Sequence, residues 1–173
     1  MTEVLYHFSE EPSIERFVPH VPASNPTAAP AVWAIDAEHA PLYWFPRDCP
    51  RVTAWPRHDG ERGAFETAFA TTAHRVHAIE AGWLERMRTV RLHRYDLPAG
   101  PFEPWDAASG QWTAAVEVEA VSVVALGDLL ALHAHAGIEL RVVPSLWPVR
   151  DLAVSERWDF SIVRWANAAP RPG

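Results

Sequence analysis

Leu5-Tyr6-His7-Phe8-Ser9, and then Val32-Trp33-Ala34-Ile35-Asp36 running into Ala40-Pro41-Leu42-Tyr43-Trp44-Phe45, set the pattern of this chain. Each of the first two segments is a short apolar run closed by polar residues, which is how a strand reads before a turn. Together they place a His and a Tyr where one pocket can hold both side chains. Asp36 is a helix-capping residue type, so a helix is expected from it through Phe45, with Pro41 in its first turn or breaking it.

The same alternation of short apolar runs and Pro-rich connections continues outward from these segments. Val4 to Phe8 is a strand, and Ser9-Glu10-Glu11-Pro12 carries the hydroxyl cap, acidic first turn and early Pro of a helix start, with Ile14 and Phe17 as its anchors. Pro19, Pro22, Pro26 and Pro30 make Val18 to Ala31 a surface loop or flap. Arg51 to Trp55 is a third strand and Arg57 to Gly63 a polar loop. Val76, Ile79, Trp83 and Met87 stand at helical spacing, so a long helix is expected from Thr71 to Arg88. Strands follow at Val90 to Leu97, Val116 to Val124, Ile138 to Val142 and Phe160 to Trp165. A Pro/Gly loop is expected from Pro98 to Gln111, and a helix from Leu126 to Ala136, closed by Gly137. Many strands with few helices and long Pro-rich loops point to an α+β domain with a mostly antiparallel or split sheet.

Composition sets the bounds of function. The 173 residues, 49 % hydrophobic and 21 % charged, suit one globular domain over residues 1–173. Nine Trp and seven Phe supply a well-packed core and rings enough to line a cleft. The formal charge of -7 argues against a nucleic-acid partner, because phosphate backbones are met by basic faces. All 15 cationic side chains are Arg, so Schiff-base and Lys general-base chemistry are excluded while bidentate recognition of phosphate or carboxylate stays open. A single Cys fits a reducing compartment, and without an apolar N-terminal run the expected location is cytoplasmic, with no membrane partner.

On Leu5 to Ser9 and Val32 to Tyr43 the chain resembles the ADP-ribosyltransferase-like superfamily, especially its small bacterial and RNA 2'-phosphotransferase-like members. The resemblance spans roughly the first third of the chain. It implies that His7 contacts a ribose hydroxyl and Tyr43 stacks on nicotinamide. His7, Ser9 and Tyr43 would then hold the nicotinamide riboside of NAD or a related nucleotide, with Arg47 or Arg51 on the pyrophosphate. These roles are physically coherent: imidazole bonds hydroxyls, aromatic faces stack on flat heterocycles, and Arg offers paired donors. The superfamily's third motif brings a Glu to the start of a late strand. Here Ser109-Gly110-Gln111-Trp112-Thr113 corresponds, with Gln111 or Trp112 where the carboxylate belongs and Glu117 and Glu119 further on. His7, Tyr43 and Gln111 are thus the candidate catalytic set, in a diverged member, a nucleotide binder without transfer, or a phosphotransferase-like enzyme.

Three other groupings compete with this reading. Arg47-Asp48-Cys49-Pro50-Arg51 crowds cations around the thiol, which would favour a thiolate or an anion grip. His74-x-x-His77-x-x-Glu80 lies on the expected helix, where His77 and Glu80 are either the ligands of a divalent metal in a metal-assisted hydrolase or solvated and ion-paired helix groups, whereas His133 and His135 point to different faces of their helix. Glu139 and Arg141, with Arg150, Arg157 and Arg164, read as an ion-pair ladder across strands. A non-enzymatic domain whose Trp-rich surface binds a ligand or protein is the alternative from a different class.

Overall fold

The computed structural model describes residues 4–22, 26–106, 109–155 and 157–173. Residues 23–25 of the first expected loop and 107–108 of the second lie outside them. In chain order the strands are β1 (Val4–Ser9), β2 (Arg16–Phe17), β3 (Val32–Ile35), β4 (Arg51–Trp55), β5 (Arg75–Glu80), β6 (His93–Pro98), β7 (Glu103–Asp106), β8 (Gln111–Ala114), β9 (Val118–Glu119), β10 (Ser122–Ala125), β11 (Ile138–Val143) and β12 (Asp159–Val163). The α-helices among the described residues are α1 (Arg62–Phe69), α2 (Leu84–Thr89), α3 (Leu129–His135) and α4 (Trp147–Ala153). The fold is α+β with mostly antiparallel sheets, one of them mixed.

Two compact units share the chain. The first takes it up to Trp44 and again from Arg91 to Gly127, and the second takes Phe45 to Val90 and Asp128 to Gly173. The first unit holds a sheet ordered β10-β6-β1-β3-β8-β7, antiparallel throughout, and the small β2-β9 pair. Side chains alternate across a sheet, so the register fixes the faces. His7 lies opposite Tyr95, while Tyr6 lies opposite Ile35 and Ile35 opposite Gln111. Leu5, Ala34, Tyr95, Leu97 and Ala114 therefore share one face, where Phe17, Phe102 and Val118 complete a buried core. Tyr6, Phe8, Ile35 and Gln111 belong to the other face.

The second unit holds a mixed sheet ordered β11-β5-β4-β12, in which β11 and β5 run parallel. Val52, Ala54, Val76 and Ala78 pack on Phe65 and Phe69 of α1, Leu146 and Ala153 beside and on α4, and Trp158. Full burial of rings such as Phe65 and Phe69 contributes roughly 1.5–3 kcal/mol each. The opposite face carries His77 against His133 of α3. Asp128 caps α3 by accepting from Leu130 N at 2.8 Å and Ala131 N at 3.2 Å, and Gly137 (φ 67°) follows the helix in the left-handed conformation that favours glycine.

The expected helix from Thr71 to Arg88 is corrected: its first half is β5, buried at every position, and only Leu84–Thr89 is α-helical. Val76 and Ile79 fall in helical phase with Trp83 and Met87, so their spacing imitates a helix, while Arg75 and His77, which alternate with Val76 and Ala78, are buried too. Ser9 to Pro12 starts no helix, since Ser9 Oγ accepts from Glu11 N at 3.1 Å and the chain turns toward β2. Glu103–Asp106 forms β7 inside the expected Pro98 to Gln111 loop. The strand expected over Val116 to Val124 is two short strands, β9 and β10. Arg57 to Gly63 runs into α1, and α4 was not anticipated. Between Asp36 and Phe45 the helix is a 3-10 turn, Ala40–Tyr43, with Pro41 in its first turn.

Candidate functional site

Strand β3 ends at Ile35, and the residues just beyond it assemble a linked polar arrangement in the first unit. Asp36 N donates to Gly110 O at 3.0 Å, tying this end of β3 to the start of β8. Asp36 Oδ1 accepts from His39 N and from His39 Nδ1–H, both at 2.8 Å. The His39 carbonyl then accepts from Leu42 N at 3.0 Å and opens the 3-10 turn that delivers Tyr43. Gln111 Nε2 donates to Tyr43 Oη at 3.4 Å. The Phe8 ring stands nearly parallel to Tyr43, 4° between planes with centroids 6.3 Å apart. Phe8, Tyr43 and Gln111 are all half-buried. They offer aromatic surface beside an amide that can both donate and accept, which is the chemistry that holds a flat polar heterocycle.

The sequence-derived residues divide around this arrangement. Tyr43 and Gln111 meet, and Trp112 does not compete with Gln111, because the next position on β8 turns to the Phe17 core. His7 is corrected: it does not share a pocket with Tyr43. Its ring packs on Phe17 with centroids 4.7 Å apart, its Nδ1–H donates to Trp33 O at 2.9 Å, and alternation along β1 puts it opposite Phe8. Ser9 lies on the His7 face, its hydroxyl engaged by Glu11 N. Glu117 and Glu119 both pair with Arg16, at 3.4 and 2.8 Å. A cavity of about 440 Å³ in this unit is lined by Ile14, Glu15, Arg16, Tyr95, Glu119 and Val123. It thus lies on the Tyr95 side of the sheet, away from Tyr43 and Gln111.

Arg47 and Arg51 belong to the second unit. Arg51 does not fit a pyrophosphate role: it is 3 % exposed, donates to Cys49 O at 3.2 Å and lies over the Phe45 ring at 5.0 Å. Arg47 is exposed, and its carbonyl accepts from Arg164 Nε at 3.0 Å. Of the readings open to Cys49, the structure favours the inert buried group over the thiolate. Burial pushes the Cys49 thiol up to about 12, with Arg51 opposing and Glu80 adding to the shift, so it is a packed, inert group.

His77 and Glu80 are an odd number of positions apart on a strand and face opposite sides, which removes the metal pair built on a helix. Among the described residues no three or more His, Cys, Asp or Glu side chains come together as a metal site. Glu80 instead accepts from Leu146 N at 3.4 Å and Ala169 N at 3.1 Å. His133 donates from Nδ1 to Leu129 O at 2.7 Å, so its Nε2 accepts from His77 Nδ1–H at 3.0 Å. That network leaves His77 Nε2 buried without a hydrogen-bond partner. Burial, then the His133 and Arg neighbours, hold His77 well below the usual imidazole range, and burial lowers His133 as well. The expected ladder of Glu139 and the late Arg residues resolves into local pairs: Glu139 with Arg141 at 2.7 Å, Arg150 with Asp151 at 3.2 Å and Arg164 with Asp48 at 3.9 Å. Neither the Asp36–His39 pair nor the His77–His133 pair was anticipated, although Asp36 was marked as a cap.

No helix of the described residues is long and apolar enough to cross a membrane. Residues 6–168 match the model of a family of unknown function (DUF6886). No curated protein and no solved structure matches the chain.

Proposed function

The chain belongs to the DUF6886 family, and we propose that it is a diverged ADP-ribosyltransferase-like protein that binds NAD or a related nucleotide without transferring it. The observation that carries this reading is the hydrogen bond between Tyr43, at the end of the 3-10 turn, and Gln111, at the start of β8, with Phe8 nearly parallel to Tyr43. Tyr43 is the residue that the resemblance assigns to nicotinamide, and Gln111 stands where its third motif falls. The ring of the nucleotide would lie against Tyr43 and Phe8, and the Gln111 amide would pair with its polar substituent. The buried Arg51 takes no part. His7, on the far face of the sheet, supports β1 and Phe17 rather than a ribose. Cleavage of a glycosidic bond passes through an oxocarbenium-like state that a carboxylate stabilises, and Gln111 supplies a neutral amide in that place. The proposal is therefore binding rather than turnover.

Thermal unfolding of the purified chain with and without millimolar NAD tests it. A ligand at about 100 times its dissociation constant stabilises by about 2.7 kcal/mol, a shift of several degrees for a chain of this size. Tyr43→Ala should abolish the shift. A well-folded sample whose melting temperature ignores NAD, nicotinamide and adenine nucleotides at millimolar concentration refutes the reading.

A further inference from the structure

We propose that His39 is a positioning residue: with Asp36 and Gly110 it forms a clip that fixes where Tyr43 and Gln111 meet. The role in ligand binding rests on the nucleotide-binding reading above, whereas the clip itself does not.

His39 touches both segments that carry the pair. Its carbonyl accepts from Leu42 N and so starts the turn that ends at Tyr43. Its ring lies on Gly110, the residue immediately before Gln111. Gly110 is buried with φ +66°, and a Cβ there would fall 2.6 Å from Asp36 Oδ2 and from His39 Cγ, and into His39 Nδ1. Only glycine combines that backbone conformation with so close an approach. Asp36 completes the clip from the third side. One of its carboxylate oxygens takes both the backbone and the ring N–H of His39, and its own N–H donates to Gly110 O. His39 is 7 % exposed, so its ring cannot drift from this position without vacating a packed space. Side chains that must meet within a fraction of an ångström are held by such supporting contacts, and a loop alone leaves them loose.

The sequence supplies an unusually clean reporter, because Gln111 is its only glutamine. Selective nitrogen-15 labelling of glutamine therefore shows one side-chain NH2 pair, and that pair belongs to the group that donates to Tyr43. His39→Asn sets an amide N–H near the place of Nδ1–H and preserves the bond to Asp36, while His39→Leu removes it. The Gln111 NH2 signals should stay at their wild-type position in His39→Asn and move or broaden in His39→Leu. NAD affinity measured by calorimetry should fall at least about tenfold in His39→Leu, equal to about 1.4 kcal/mol, and change less than about twofold in His39→Asn. Asp36→Ala, which removes the acceptor of the His39 backbone and ring N–H and leaves glycine at position 110, should reproduce the His39→Leu signal change. It decides the matter if His39→Leu fails to fold.

Unmoved Gln111 signals in His39→Leu or, where that variant is unfolded, in Asp36→Ala overturn the clip. So do equal displacements in His39→Asn and His39→Leu. A wild-type chain that binds no NAD overturns the nucleotide reading instead, and the Gln111 signals then decide the clip alone.

Discussion

Lowering the pH from about 7.5 to about 5.5 will weaken the folded state through the His77–His133 pair, and the size of the effect follows from its geometry. His77 is fully buried, donates from Nδ1 to His133 and has Nε2 enclosed without a partner. Protonating it would create a buried cation beside His133, Arg75, Arg51 and His74, with a new N–H that has no acceptor. The folded chain therefore keeps His77 neutral, while the unfolded chain protonates it near the ordinary value of about 6.5. A histidine lowered by folding contributes stability that is intact above the unfolded value and is lost as pH falls through it toward the folded value. Across this window the loss is about 1.4 kcal/mol for one such histidine and up to about 2.8 kcal/mol for the pair. Urea unfolding at the two pH values measures it, as a lower midpoint at unchanged slope. His77→Asn keeps a donor for His133 and removes one titrating ring, so its acid loss should be smaller by about 1.4 kcal/mol even though its starting stability is lower. Equal acid losses in wild type and His77→Asn would refute the reasoning.

Three further outcomes follow from contacts described above. Cys49 should ignore a thiol-specific disulfide reagent at about pH 8 in the native chain and react fully in denaturant, because burial sets its thiol to about 12. Glu80→Ala should cost about 1–3 kcal/mol in urea unfolding and speed hydrogen exchange at Ala169, since it strands the N–H groups of Leu146 and Ala169; Glu80→Gln, which keeps an acceptor, should cost less. Asp128→Ala should cost about 1 kcal/mol by uncapping α3, and an undiminished melting temperature would show that packing alone holds that helix.

The α+β character and most strands were legible because β1, β3, β4, β6 and β11 are short apolar runs between turn residues. β5 was not, because Val76 and Ile79 join Met87 of α2 in one false helical stripe, which hides the alternation of Arg75 and His77 with Val76 and Ala78. In α1, Phe65 and Phe69 carry a one-turn spacing, but Gly63 and the polar residues around them gave the stretch the look of a loop. The Tyr43–Gln111 meeting depends on the 3-10 turn after β3, which brings Tyr43 to the start of the neighbouring β8. The misplacement of His7 has a simpler cause. Adjacent residues on a strand must face apart, but which of His7 and Phe8 met Tyr43 depended on where the 3-10 turn folded back, and that is a tertiary fact. His39 is hidden in the sequence because Asp36 reads as a helix cap, whereas its one carboxylate serves both the backbone and the ring of His39.

The division of the chain between its units bears on how it is made. β1 pairs with β3, synthesised soon after it, and with β6, which leaves the ribosome roughly 90 residues later, several seconds at ordinary synthesis rates. The antiparallel β4-β5 pair is close in sequence, yet its flanking strands β11 and β12 follow only after long intervening segments. Each unit thus stays unfinished until a distant segment has been made, with open strand edges that attract other chains. A nascent chain stalled at Val90 would hold neither unit whole. Efficient production should therefore favour slow synthesis at low temperature and abundant chaperones, and dissection at that point should yield two insoluble pieces rather than two domains.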